Sequence, residues 1–286
     1  MILTGATRGI GQAAAIQLAG RGAELGLVGR DAARVRATAE QARASGGGAP
    51  VHEHVADLER MDEVRRLAAE LLEAYSRIDV LANNAGAMFT SRHVTPDGFE
   101  RTFALNHLAP FLLTNLLLER LTTSRARVVT TASHAHNGGR LDLDDLQSER
   151  GRFRPGRVYS TTKLCNILFT RELQRRNPAI VANCFHPGVI RTGFGKNDSA
   201  LVRISVTLAG PFLGSPESGA SSLVWLALDP VAGELRGQYI EKQRPVEPSA
   251  QAQDDRLAAE LWERSEELSA PARLARTPPD FRSMAG

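Results

Sequence analysis

The chain is short of the features that mark secreted, membrane-spanning or nucleic-acid-binding proteins. It has only two cysteines, Cys165 and Cys184, in 286 residues. That is too few for a disulfide framework and lacks zinc-ligand spacing, so both read as small buried hydrophobes. No apolar run approaches the ~18–20 residues of a bilayer-spanning helix, and Met1 leads straight into Ile2-Leu3-Thr4 without a signal-peptide pattern. These absences lead us to expect a reduced, cytoplasmic protein. The net charge is only +3, with 35 basic residues dispersed among 32 acids, so no nucleic-acid partner is expected despite a pI of about 9.2. His52 and His54 alternate on one strand face with no third ligand nearby, which leaves no metal site.

What is present suits a globular protein with a sizeable core: 42% hydrophobic and 23% charged residues, with no linker-like stretch. We therefore read residues 1–286 as one domain. Strand-like and helix-like segments alternate along it. Ile2-Leu3-Thr4 is followed by a glycine-rich turn and a helix over Ala13 to Leu18; strand Ala23 to Val28 precedes a helix capped by Asp31. Strand Val51 to Val55, helix Met61 to Tyr75, strand Ile78 to Ala82, one long or two broken helices in Pro96 to Arg120, and strand Ala126 to Thr131 continue the pattern. After a long polar loop come the helix of Tyr159, strand Ile180 to Phe185, helix Glu217 to Leu228, a strand near Tyr239-Ile240 and an amphipathic helix, Asp254 to Leu268. Such alternation implies an α/β fold, a doubly wound parallel sheet of Rossmann type with helices on both faces.

The chemistry-bearing residues sit at the ends of these strands. Gly5-Ala6-Thr7-Arg8-Gly9-Ile10-Gly11 joins a strand to a helix, the arrangement that aims backbone N–H groups at a phosphate, although glycines at a strand end also make plain tight turns. Where a dinucleotide fold usually places an acid for the ribose 2′-hydroxyl, this chain has Arg30. It suits a 2′-phosphate, with Arg8 in reach of the same group, or it is a solvated residue at a helix start. Asp57 lies in Ala56-Asp57-Leu58 just past the third strand, placed for an adenine amino group or for capping the next helix. Asn83-Asn84-Ala85-Gly86 suits close packing on a ribose, or a turn. Phe194 to Leu213 is apolar and interrupted by Gly and Pro; it reads as a lid over a lipophilic pocket within the domain or as a packing helix. Tyr159 and Lys163, four residues apart, share one helical face, where an ammonium favours phenol ionisation and pulls its pKa toward the working range.

In this order, Thr4 to Gly11, Asn83-Asn84-Ala85-Gly86, Asn106, Ser133, Tyr159-x-x-x-Lys163 and Pro187-Gly188 resemble the short-chain dehydrogenase/reductase family over nearly the whole chain. Asn106-His107-Leu108, Asp144-Asp145-Leu146 and Tyr159-Ser160 with Lys163-Leu164 are similar to its retinol-dehydrogenase-like branch. The resemblance implies Tyr159 as proton donor or base, Lys163 on the nicotinamide ribose and lowering the phenol pKa, Ser133 on the substrate oxygen, and Asn106 holding a relay water. It implies cofactor contacts from Gly5, Thr7, Arg8, Gly9, Ile10, Gly11, Arg30, Asp57, Leu58, Asn83, Ala85 and Gly86, with Pro187, Gly188, Val189 and Thr192 at the carboxamide. The cofactor expected is NADP(H) and the substrate a small lipophilic carbonyl or alcohol. Reduction of a conjugated C=C bond, or a non-catalytic NADPH-binding sensor or scaffold, are the alternatives. A homodimer or homotetramer through the helices of Asn106 and Tyr159 follows from the same resemblance. Two departures stand out: a very short first strand, implying a start codon further upstream or a looser cleft, and a long insert between Ser133 and Tyr159.

Overall fold

The computed structural model describes residues 1–188 and 214–270. Its centre is one eight-stranded sheet, with β1 (Ile2–Thr4), β2 (Leu25–Gly29), β3 (Val51–Val55), β4 (Val80–Asn83), β5 (Arg127–Thr131), β6 (Val181–His186), β7 (Tyr239–Glu241) and β8 (Arg244–Pro245) in the order β3-β2-β1-β4-β5-β6-β7-β8. Seven strands run parallel, and only β8 is antiparallel, to β7. The β7–β8 turn, Lys242-Gln243, has positive φ at both residues (50° and 61°), as a two-residue hairpin of matching twist requires. That hairpin was not expected from the sequence. The strand β1 has three residues, yet all are buried and it pairs on both sides, with β2 and β4. The chain moves outward from β1 to β3 and then returns to β4, so strand order reverses between β1 and β4. Such a reversal opens a crevice at the carboxyl ends of the strands, where open α/β sheets bind ligands.

Helices cover both faces. One face carries α1 (Gly9–Ala19), α2 (Ala32–Ala44) and, after the undescribed stretch, the helix Pro216–Leu228; the other carries α3 (Met61–Ala74) and most of the chain from Arg101 to Arg176. Helix α3 buries Met61, Val64, Leu67, Ala68 and Leu71, an i, i+3, i+4 stripe in which each fully buried Val or Leu contributes roughly 1.5–3 kcal/mol. Asp31 caps α2 by accepting from Arg34 N at 3.2 Å, as its position suggested.

The expected helical stretch Pro96 to Arg120 is interrupted. A single turn α4 (Arg101–Phe103) widens into a π-helical segment, Ala104–Leu108, before α5 (Ala109–Leu116) and α6 (Leu118–Thr123). Pro110 explains where the break falls: it has no N–H to give the carbonyl of Asn106 four residues back, so the regular ladder cannot continue there.

The longest helix, α7 (Pro155–Arg176), is followed after β6 by α8 (Pro216–Leu228) and α9 (Asp255–Ser269). On the α7 side Trp262 of α9 stacks on Phe169 (centroids 5.9 Å apart, 18° between planes) and meets Phe111 edge-on at 4.9 Å, while the Arg176 guanidinium lies 4.9 Å above its ring. Arg171 pairs with Asp255 at 2.7 Å. The surface through which self-association was expected, that of the helices bearing Asn106 and Tyr159, is thus overlaid by the chain's own α9. Val189, Thr192 and the segment 194–213, read above as a lid, lie outside the described residues.

Candidate active site

The site is assembled from the carboxyl ends of β1, β4 and β5 and the first turns of α7. In the glycine turn, Gly5 has φ +65°, and Gly11 lies so close to it that a Cβ on Gly11 would stand 2.1 Å from the Gly5 carbonyl oxygen. Helix α1 opens with no side-chain cap and no acid in its first turn. Its free N–H groups and dipole therefore face outward for an anion. Arg8, at the N-cap, is exposed. Thr7 packs under Gly29, where any Cβ would collide with its methyl group at 2.5 Å. Ile10 is part-buried against the α1–α2 core.

The turn after β4 corrects one reading. Asn83 was expected to face the cofactor, but its side chain is buried and donates to Thr114 Oγ1 of α5 at 2.9 Å, so only its main chain can border the cleft. Successive residues point to opposite faces, so it is Asn84 that turns to the glycine turn. Its Nδ2 donates to Thr4 O at 3.0 Å and Gly5 O at 3.3 Å, while the Thr4 hydroxyl accepts from the N–H groups of Asn84 and Ala85. Asn84 and Thr4 brace the glycine turn, a role our sequence reading missed. Gly86 is where three elements meet: a Cβ there would sit 3.1 Å from Asn106 Oδ1 and 3.4 Å from Lys163 Nζ.

Asn106 is fully buried. Its amide clamps Ala87, accepting from Ala87 N at 2.8 Å and donating to Ala87 O at 2.9 Å, and donates also to Thr162 Oγ1 at 3.0 Å. The Thr162 hydroxyl passes its own proton to Tyr159 O at 2.8 Å. The Asn106 side chain therefore ties the β4 turn to α7, and its carbonyl is released from the regular helical ladder by Pro110.

Lys163 donates to Thr131 O at 2.8 Å, and Asn166 donates to the same oxygen at 3.1 Å, which pins α7 to the end of β5. Burial pushes the Lys163 ammonium down to about 8. Tyr159 is pushed up to about 12 by burial, with its hydrogen bond to Ser133 opposing the shift. The expectation that Lys163 brings the phenol toward neutrality is not met in the cofactor-free protein. Lys163 Nζ stands 5.6 Å from the centre of the phenol ring, and desolvation of the phenolate outweighs it. Tyr159 is consequently held protonated.

Ser133 ends the β5 extension, and its hydroxyl accepts from Ala135 N at 3.2 Å. Its carbonyl accepts from His136 Nδ1 at 2.8 Å, and His136 Nε2 accepts from Ser249 N at 3.0 Å. Those partners require a neutral imidazole with its proton on Nδ1. Burial lowers the His136 pKa, in keeping with that state. In the sequence His136 was only part of a polar cluster at a strand end.

Past the end of β2, Arg30 Nη1 pairs with Glu59 at 3.0 Å, and Glu59, largely buried, also holds Arg101. Asp57 accepts from Glu59 N at 3.1 Å in a local turn, which leaves its second oxygen outside that contact. The Leu58 side chain is in the core, so only its main chain can border the cleft. Pro187-Gly188 follow β6 directly. Together the tight glycine turn, the uncapped start of α1, exposed Arg8 and Arg30, and a lysine ammonium beside Gly86 are a donor set that fits a phosphate-bearing nicotinamide dinucleotide. No group of three or more metal-ligating side chains occurs among the described residues.

A family model described as short chain dehydrogenase matches residues 1–144. A Streptomyces protein provisionally named a daunorubicin C-13 ketoreductase is 43% identical over 265 residues, covering 93% of this chain and 90% of that one. The chain belongs to the short-chain dehydrogenase family. Human retinol dehydrogenase 13 is 36% identical over 276 residues, covering 94% of this chain and 83% of its own, which places the chain in the retinol-dehydrogenase-like branch. The crystal structure of a Mycobacterium paratuberculosis protein of uncharacterised function superposes with a TM-score of 0.75 at 34% identity, over 94% of this chain and 92% of that one. As a short-chain dehydrogenase the chain is an oxidoreductase acting on carbonyl and alcohol groups.

Proposed function

We infer that the chain uses NADP(H) to interconvert a ketone or aldehyde and the matching alcohol on a lipophilic small molecule, with Tyr159 as acid and base. The observation that carries this reading is the meeting of Asn106 and Lys163 at Gly86, with Tyr159 one turn before Lys163 on α7 and hydrogen-bonded to Ser133. The nicotinamide supplies or takes up the hydride when bound. Tyr159, kept protonated by burial, gives its proton to the carbonyl oxygen, and Ser133 steadies both phenol and substrate oxygen. Lys163 holds the ribose hydroxyls, and the Asn106 carbonyl seats a water that passes a proton inward toward Lys163. In alcohol oxidation the same groups work in reverse.

The preference for the phosphorylated cofactor rests on Arg30 and Arg8 standing where an acid would repel a 2′-phosphate. A lipophilic substrate is supported by relatives named for a daunorubicin ketone and for retinol. A reducing, cytoplasmic setting agrees with Cys165 and Cys184 being free, buried thiols whose pKa is pushed up to about 12 by burial. Among the described residues no helix is long and apolar enough to cross a membrane.

The test is Tyr159→Phe, assayed against a panel of lipophilic aldehydes, ketones and enones with products identified. Turnover should fall by at least ~1,000-fold while NADPH affinity stays within a few-fold. Wild-type activity in the variant removes Tyr159 from the chemistry, and a saturated carbonyl as sole product from an enone moves the reaction to the C=C bond.

A further inference from the structure

The insert between Ser133 and Tyr159 builds a second feature at the start of α7. An open cavity of about 810 Å³ is lined by Arg140, Arg152, Arg154 and Arg157, with Phe153 and Ser160 among its walls and no acidic residue. Three of the insert's four carboxylates are engaged elsewhere. Asp142 accepts from Asp144 N, Asp145 accepts from the N–H groups of Glu149 and Arg150, and Glu149 pairs with Arg92. No carboxylate of the described residues pairs with any of the four arginines. The four arginines are all solvent-exposed, so like charge gathers about one open hollow, and α7 begins there, at Pro155, with no side-chain cap to offset its positive end. An arrangement of that kind is relieved by an anion, and planar guanidinium forks match a carboxylate or phosphate.

The hollow lies at the start of α7, the helix that carries Tyr159 and Lys163. Ser160 follows Tyr159 in the chain, and the backbone of Arg140 is fastened to α7 through the Thr161 hydroxyl, which accepts from Arg140 N at 3.3 Å and donates to Arg140 O at 3.2 Å. The geometry points to a recognition site for an acidic group, carboxylate or phosphate, at the far end of the carbonyl substrate, with Phe153 beside its apolar stem. The substrate class is then an amphipathic carbonyl compound with one anionic terminus. Its substrate half rests on the carbonyl–alcohol reading above.

The test compares a medium-chain aldehyde bearing a terminal carboxylate with its methyl ester, using wild type and Arg140→Gln/Arg157→Gln, which removes a charge from each of two elements of the wall. Wild type should favour the acid by about tenfold or more in kcat/KM at low ionic strength, with the ratio shrinking as salt is added. In the double variant the ratio should fall toward one while the ester rate stays within twofold. A wild-type ratio of one or below, or a ratio unaltered by the double substitution, overturns the assignment. If neither compound is turned over, the carbonyl reading fails by itself. The site is then decided by calorimetry with octanoate: binding weakened about tenfold in the double variant upholds it, and absent or unaltered binding refutes it. Inorganic phosphate bound by wild type and lost in the double variant, with no preference for the acid over the ester, makes this a site for a separate anion and refutes the substrate assignment.

Discussion

Lys163 is expected to hold the protein below its attainable stability, and replacing it with methionine measures by how much. The ammonium is 3% exposed, and burial alone takes its pKa from 10.5 to about 8. At ~1.4 kcal/mol per tenfold change in proton affinity, this corresponds to about 3 kcal/mol of strain in the charged form at neutral pH. Methionine has nearly the same length and no charge. It forfeits the bond from Nζ to Thr131 O, a charge-assisted contact of roughly 1.5–3 kcal/mol, yet that oxygen keeps its bond from Asn166 at 3.1 Å and is not orphaned. The net expectation is a cofactor-free variant about 1 kcal/mol more stable at pH 7, seen as a Tm higher by roughly 2 °C, with turnover abolished. The pH dependence gives the sharper signature. Between pH 8 and 10.5 the unfolded lysine keeps its proton while the folded one loses it, so wild-type stability rises with pH across that window. The methionine variant lacks this rise, so its advantage should shrink above pH 8 and be gone by pH 10. Urea unfolding at pH 7, 8, 9 and 10 reads both. A variant less stable at pH 7 by more than about 1 kcal/mol, or a difference constant from pH 7 to 10, refutes the reasoning.

Three further expectations follow from the same geometry. Burial holds His107 (down to about 3), His136 and His186 neutral in the fold, so below pH 6.5 the unfolded chain takes up protons that the folded one refuses. Stability present above pH 6.5 should be lost on acidification by up to ~1.4 kcal/mol per pH unit per histidine, and equal urea midpoints at pH 7 and 5.5 would contradict this. His136→Asn should lower kcat by about tenfold or more with the KM for NADPH unchanged, through loss of the hold on the Ser133 carbonyl; equal losses in kcat and stability-corrected cofactor binding argue for a merely structural role. Arg30→Asp should swing preference from NADPH to NADH, and Glu59→Gln, by removing the carboxylate paired with Arg30, should raise the NADPH kcat/KM several-fold. Unaltered cofactor ratios in both variants release Arg30 from the 2′-phosphate.

Much of this protein was legible before folding because its cues are local. Strand-turn-helix periodicity reports burial residue by residue. Gly11 is demanded by a contact with Gly5 only six residues away, and the i, i+4 spacing of Tyr159 and Lys163 on α7 needs no knowledge of the rest of the chain. Other features depended on neighbours distant in sequence. Whether Asn83 or Asn84 braces the glycine turn depended on the residue at which β4 ends, one residue's difference inverting the side. The phenol pKa was misjudged because pairing with Lys163 was weighed without the burial that both groups share. Glu59 on Arg30, Ser249 on His136 and α9 across α7 join residues roughly 30 to 110 positions apart, and the arginines of the insert form one hollow only once Arg140 is fastened to α7. The order of segments was enough to determine the sheet and the presence of a dinucleotide-type cleft. Tertiary packing decided the charge state and aim of each group within it, because both are set by desolvation and by partners that a linear sequence does not bring together.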